Sequence, residues 1–232
     1  MNRTSIRLAA VLAGLAITTA ACGSSSNGTD AGSASTPTSA TNTGAVTGAE
    51  ATKTQGAELR AGLTYLLTEH VYLAGIATGT AVAKGGKLTD PAVVAAVTAL
   101  DANSIALSKA IGAAYPAAEE PFLKSWRQHI GFFVDYTLAV ATKDAAKKAK
   151  AVKDLDGYRT SFGQLINSVV PELPADAVAK ELIPHVASLF AAIDAQVAGS
   201  PTQFALLETA AGHMPGTAAI LAGGIAANLK LS

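Results

Sequence analysis

The chain has 232 residues, half of them hydrophobic and only 15% charged, a composition rich in alanine and poor in aromatics that favours helices. Seventeen basic residues balance seventeen acidic ones, so no net field draws the chain to nucleic acid, and no nucleic-acid partner is expected. One cysteine forms no intrachain disulfide and no cysteine-based zinc site, and two methionines, one the initiator, make no Met-rich metal carrier.

The N-terminus reads as an export signal. Arg3 and Arg7 precede an apolar run from Leu8 to Ile17, too short to span a bilayer, and small residues then lead to Cys22. Thr19-Ala20-Ala21-Cys22 resembles the lipobox of bacterial lipoproteins, with Thr at a position usually held by Leu, Val or Ile. The expectation is a signal peptide over 1–21 and lipidation at Cys22, which would anchor the protein on the outer face of the cell membrane. Cleavage after Ala21 by the ordinary signal peptidase is the alternative. Residues 22–55 are mostly Gly, Ser, Thr, Ala and Asn; with little to bury against their ordering entropy, they read as a tether.

From residue 56 the pattern is helical. Leu59, Leu63, Leu66, Leu67, Val71 and Leu73 line one side of a first helix that Gly85-Gly86 ends. Asp90 is the expected N-cap, and Pro91 the first residue, of a second helix to Ala114. A third runs from Pro121 to Thr142. Asp144 caps a fourth, Lys-rich helix that stops before Pro171. A fifth is expected from Pro174 or Ala175 to Ala198, and a sixth, capped by Ser200, to about Leu229. The fold class is therefore all-α, a six-helix bundle built from three tandem helical hairpins over 56–232. A repeat is part of that expectation. His70, His129 and His185 recur at intervals of 59 and 56 residues, and Leu100-Asp101, Leu155-Asp156 and Leu207-Glu208 at 55 and 52.

Enzyme signatures are scarce. There is no Gly-x-Ser-x-Gly elbow, no phosphate loop and no HExxH, and no Glu stands three residues before any histidine as a ferritin-like diiron site needs. The histidines remain. His70, His129, His185 and His213 all have apolar or small neighbours at helical spacing and are expected to face inward. A buried neutral imidazole has two ring nitrogens to satisfy. One reading pairs each with a carboxylate, Glu69, Asp135, Asp194 and Glu208 being the candidates. The other gathers the four imidazoles, with Glu69 and Glu208, on one metal ion; Cu(II), Zn or Fe suit nitrogen and oxygen donors, whereas Cu(I) would have Met214 as its sole thioether. Haem finds an axial candidate in any inward histidine but no attachment motif. Lys143, Lys147, Lys148, Lys150 and Lys153, interspersed with Asp144, Asp154 and Asp156, read as a solvated helix face. The stripe Trp126, Phe132, Phe133 and Tyr136 reads as core.

Three segments carry a resemblance: Leu-Leu-Thr-Glu-His-Val-Tyr-Leu at 66–73, Trp-Arg-Gln-His-Ile-Gly-Phe-Phe-Val-Asp-Tyr-Thr at 126–137 and Ala-Gly-His-Met at 211–214. They are similar to segments of a poorly characterised family of exported bacterial all-helical proteins, whose modules also appear beside copper amine oxidase-like domains. The likeness spans roughly 57–229. It carries no secure activity, and it points to the histidines as a set and to copper by association. The functional expectation is a membrane-tethered module that binds a metal ion through inward-facing histidines. The alternative is a metal-free scaffold that contacts another envelope protein through an exposed helix face.

Overall fold

The structure is a computed structural model, and it describes residues 48–232. The signal segment, Cys22 and most of the expected tether lie outside the described residues. A 3-10 turn, Gly48–Lys53, with no buried residue, leads into the helical domain. Seven α-helices follow: α1 Gln55–Ala83, α2 Pro91–Ala114, α3 Glu119–Ala141, α4 Ala145–Val169, α5 Ala175–Val197, α6 Gln203–Gly212 and α7 Met214–Leu229. The described domain is all-helical.

The helix ends follow from local chemistry. Thr54 caps α1 by accepting the Ala57 N–H, Asp90 caps α2 at the Ala92 N–H, and Asp144 caps α4 at the Lys147 N–H. Gly85 and Gly86 have φ of 62° and 77°, left-handed values that cost an L side chain energy, and so they turn the chain out of α1. The sixth predicted helix is two. Pro215 lacks an N–H, and its ring would clash with the Ala211 carbonyl in a continuous helix. The chain breaks at His213, between Gly212 and Gly216, and restarts as α7 with the proline in its first turn.

The helices pack as a closed ring with an inner trio. α1, α3 and α5 touch one another; α2 lies against α1 and α3, α4 against α3 and α5, and α6 against α5 and α1, with α7 also on α1. The main core runs through all of them, including Leu63, Leu67 and Val71 of α1, Phe122 and Trp126 of α3, Phe162 and Ile166 of α4, and Met214 and Leu221 of α7. A second cluster around Phe133, Tyr136, Leu155, Leu189 and Ile193 fills the space between α3, α4 and α5. α2 is long and apolar enough to cross a membrane by length and composition, yet it packs between α1 and α3 and buries Asn103, Ser104 and Ser108 there.

Polar ties set the helix register. Inside the core, Gln196 donates to the Gly75 carbonyl at 2.8 Å and accepts from the Thr78 hydroxyl at 2.8 Å, fastening α5 to α1. Tyr136 donates to Asp194 at 3.0 Å, and Lys148 reaches the same carboxylate, joining α3, α4 and α5. At Gly163 the Ala175 carbonyl oxygen would stand 2.2 Å from a Cβ, so only glycine allows α4 to approach the start of α5 this closely. The lysines of α4 behave as a solvated face: Lys147 pairs with Asp144 and Lys150 with Asp154.

Candidate metal centre

Each helix of the inner trio contributes one buried histidine. His70 of α1 is 2% exposed, His129 of α3 is 3% and His185 of α5 is 6%. Their helical registers explain this, since each lies one turn from large core residues: Leu67, Trp126 and Phe133, and Leu182 and Leu189. The ring centroids of His70 and His129 are 5.3 Å apart. Trp126 lies against both, at 4.8 Å from His70 and 4.6 Å from His129, and Tyr158 of α4 stacks on His129 at 4.8 Å. Phe133 bridges to His185, whose centroid is 6.3 Å from its own.

This cluster is short of hydrogen-bond partners. The Nδ1 atoms of His70, His129 and His185 are enclosed and unpartnered, as are Trp126 Nε1, Tyr158 Oη and Asn103 Oδ1. Burial holds all three imidazoles neutral. His70 is lowered to about 3, first by desolvation and then by His185, while Asn103 beside it opposes the shift. His185 is lowered to about 4 by desolvation and then by His213. His129 falls well below the usual range through desolvation, with His70 and His185 adding to it and a hydrogen bond to the Trp126 backbone opposing it. The same burial pushes the Tyr158 phenol well above its ordinary value. A charge on one imidazole would disfavour a charge on the next, and no carboxylate is among the causes of any of these shifts.

The expected carboxylate partners are elsewhere. Glu69 is half-buried and accepts from Tyr65 at 2.8 Å and from Asn103 Nδ2 at 2.8 Å. Glu208 and Asp135 are exposed, and Asp194 serves Tyr136 and Lys148. Asp135, Asp194 and Glu208 neighbour apolar positions in sequence, but their own side chains fall on the outward arc of their helices. His213 departs from the expectation of four inward histidines. It caps the break between α6 and α7, half-buried, because Pro215 ends the helix that would have carried it inward. Tyr158 and Asn103 also belong to this cluster and were not among the expected site residues. Tyr158, four residues before core Phe162, carried a usable periodic signal.

As they stand, no three His, Cys, Asp or Glu side chains among the described residues are grouped tightly enough to hold a metal ion. The donor chemistry nevertheless fits one. Two imidazoles bound to a tetrahedral ion at 2.0 to 2.1 Å have ring centres about 5 Å apart, close to the 5.3 Å between His70 and His129. Comparison with known proteins finds no matching family model, curated protein or solved structure.

Proposed function

We propose that the domain binds one transition-metal ion, Cu(II), Zn or Fe, through the core imidazoles of His70, His129 and His185. The observation that carries this reading is the set of three neutral, buried imidazoles, one from each inner helix, whose Nδ1 atoms make no well-formed hydrogen bond, with Asn103 within reach of His70 and the Trp126 backbone within reach of His129. Leaving a buried polar atom unpaired costs about 1 to 3 kcal/mol, so a cluster of them calls for a ligand that satisfies several at once. A borderline cation does so, and neutral imidazole is its preferred donor. The 5.3 Å pair has the spacing of two ligands, and His185, reached across Phe133, would have to move towards them to complete the coordination. The reading of each histidine as paired with a carboxylate has no contact to support it.

The setting we propose is an exported lipoprotein anchored at Cys22, its tether holding the helical domain off the membrane, with kinship to the exported helical family named above. The repeated hairpins belong to the same proposal: the equivalent placing of His70, His129 and His185 on α1, α3 and α5 supports a triplicated unit. The metal-free scaffold is kept as the alternative because exposed Tyr65, Tyr72 and Ile76 of α1 and Phe204 of α6 offer apolar surface to a partner. Elemental analysis of the purified domain after exposure to Cu, Zn and Fe separates the two, the proposal requiring metal that survives desalting and is lost in His129→Phe.

A further inference from the structure

A cleft of about 570 Å³ opens at the end of the bundle where α3 gives way to α4, and it shares no lining residue with the histidine cluster. That volume is within the roughly 300 to 1,000 Å³ of small-molecule sites. Leu138 and Ala139 of α3 and Ala151 of α4 give it an apolar lining. The turn of Gly85 and Gly86 after α1 forms another wall. A Cβ at Gly86 would stand 3.2 Å from Leu138 Cδ2, so this turn sits directly on α3, while a Cβ at Gly85 would meet nothing within 4 Å. Four charged side chains line the same cleft: Asp135 of α3, and Lys147, Lys150 and Asp154 of α4. Lys147 is held by Asp144 at 3.0 Å and Lys150 by Asp154 at 2.5 Å. Asp135 has no ion-pair partner among the described residues, so the charge left over in the cleft is negative.

We infer that this cleft binds a small organic amine, its ammonium group against Asp135 and its apolar body along Leu138, Ala139 and Ala151. The site stands independently of the metal-binding reading. A neutral guest would leave the carboxylate without a counter-charge, and an anionic one would meet it with both lysines already paired. An inorganic cation would make no use of the apolar lining. Lys150 sets the limit on affinity: its ammonium shares the cleft with the guest, and its ion pair occupies the second carboxylate, Asp154. Asp135 and Lys150 are both exposed, so water screens each charge and one of them changes binding by about fivefold rather than by orders of magnitude.

The test uses phenethylamine as the probe and phenylacetate, an anion of similar size and shape, as its control. Each is titrated into the purified, isotope-labelled protein, and the amide resonances of Gly85, Gly86, Asp135 and Thr142, which border the cleft, report binding by nuclear magnetic resonance. The expected result is a saturable shift of these resonances with phenethylamine and none with phenylacetate. Asp135→Asn, which keeps the shape and removes the charge, should weaken the amine by about fivefold. Lys150→Met removes the competing ammonium and frees Asp154, and should tighten it by a similar factor. Both substitutions are at exposed positions, so resonances away from the cleft stay in place and show that the fold is kept. The absence of a saturable shift with a Kd tighter than about 10 mM would overturn the inference. So would equal shifts from phenylacetate, wild-type affinity in Asp135→Asn, or unchanged or weaker affinity in Lys150→Met.

Discussion

Acid should destabilise this domain steeply, through the histidines and before the carboxylates titrate. An imidazole in the unfolded chain titrates near 6.5. In the folded domain His185 stays neutral down to about 4 and His70 to about 3, and His129 is also held well below the usual range. Between those limits the unfolded state binds more protons than the folded one, so stability falls as the pH is lowered through 6.5 towards the folded values. Each imidazole still neutral at pH 5 costs about 2 kcal/mol relative to pH 8, and three cost about 6 kcal/mol, a large part of the 5 to 15 kcal/mol available to a typical domain. The sum depends mainly on the unfolded value and hardly on how deep the folded values lie. Urea unfolding of metal-free protein, followed by far-UV circular dichroism from pH 8 to pH 5, reads it directly. Nearly three protons should be taken up on unfolding between pH 6 and 5, a slope of roughly 4 kcal/mol per pH unit. A slope of about 1.4 kcal/mol or less would mean that at most one imidazole is buried neutral, and the described core would be wrong.

Two glycines of α4 should respond in opposite ways to alanine. Gly163→Ala forces Cβ against the Ala175 carbonyl and should cost about 1 to 3 kcal/mol or more by urea unfolding, whereas Gly157→Ala meets nothing within 4 Å and should be neutral or stabilising by about 0.5 to 1 kcal/mol. Gln196→Ala removes two hydrogen bonds that tie α5 to α1, while Thr78 keeps its Ala74 and Gly75 carbonyl acceptors, and a loss of about 1 kcal/mol is expected in the same assay. Mass spectrometry of the mature N-terminus should find diacylglycerol on Cys22, and Cys22→Ala should move the protein from the membrane to the soluble fraction; unmodified Cys22 recovered from membrane-free medium would contradict the anchor.

Helix positions were readable because their signals are local. Asp90 before Pro91, Asp144 before the Lys-rich run and Gly85-Gly86 after the first apolar stripe each act within one turn, and each lies at the boundary it marks. The break at His213 is not legible from Pro215 alone. Pro184 shows why one proline does not decide the matter: α5 continues across it, packed on both sides by α4 and α6. At Pro215 the flanking Gly212 and Gly216 favour a break, and the helix yields. The inward direction of His70, His129 and His185 was legible from residues one turn away. Their convergence was not, since it depends on how α1, α3 and α5 cross, which periodicity along one helix does not encode. Nor was the absence of carboxylate partners, because Asp194 and Glu69 are claimed by Tyr136, Lys148, Tyr65 and Asn103 from other turns or other helices.

The central claim is that the three core imidazoles hold an ion together. The most direct measurement is the metal content of the desalted domain after exposure to Cu, Zn and Fe, for the wild type and for His70→Phe, His129→Phe and His185→Phe. Phenylalanine keeps a ring in each site and removes the nitrogens, so the fold is retained while a shared ion loses a ligand. The account predicts about one equivalent of one of these metals in the wild type and a sharp loss in every single variant, because ligands of one ion act as a unit. A wild type that holds no metal, or variants that each hold as much as the wild type, would contradict it.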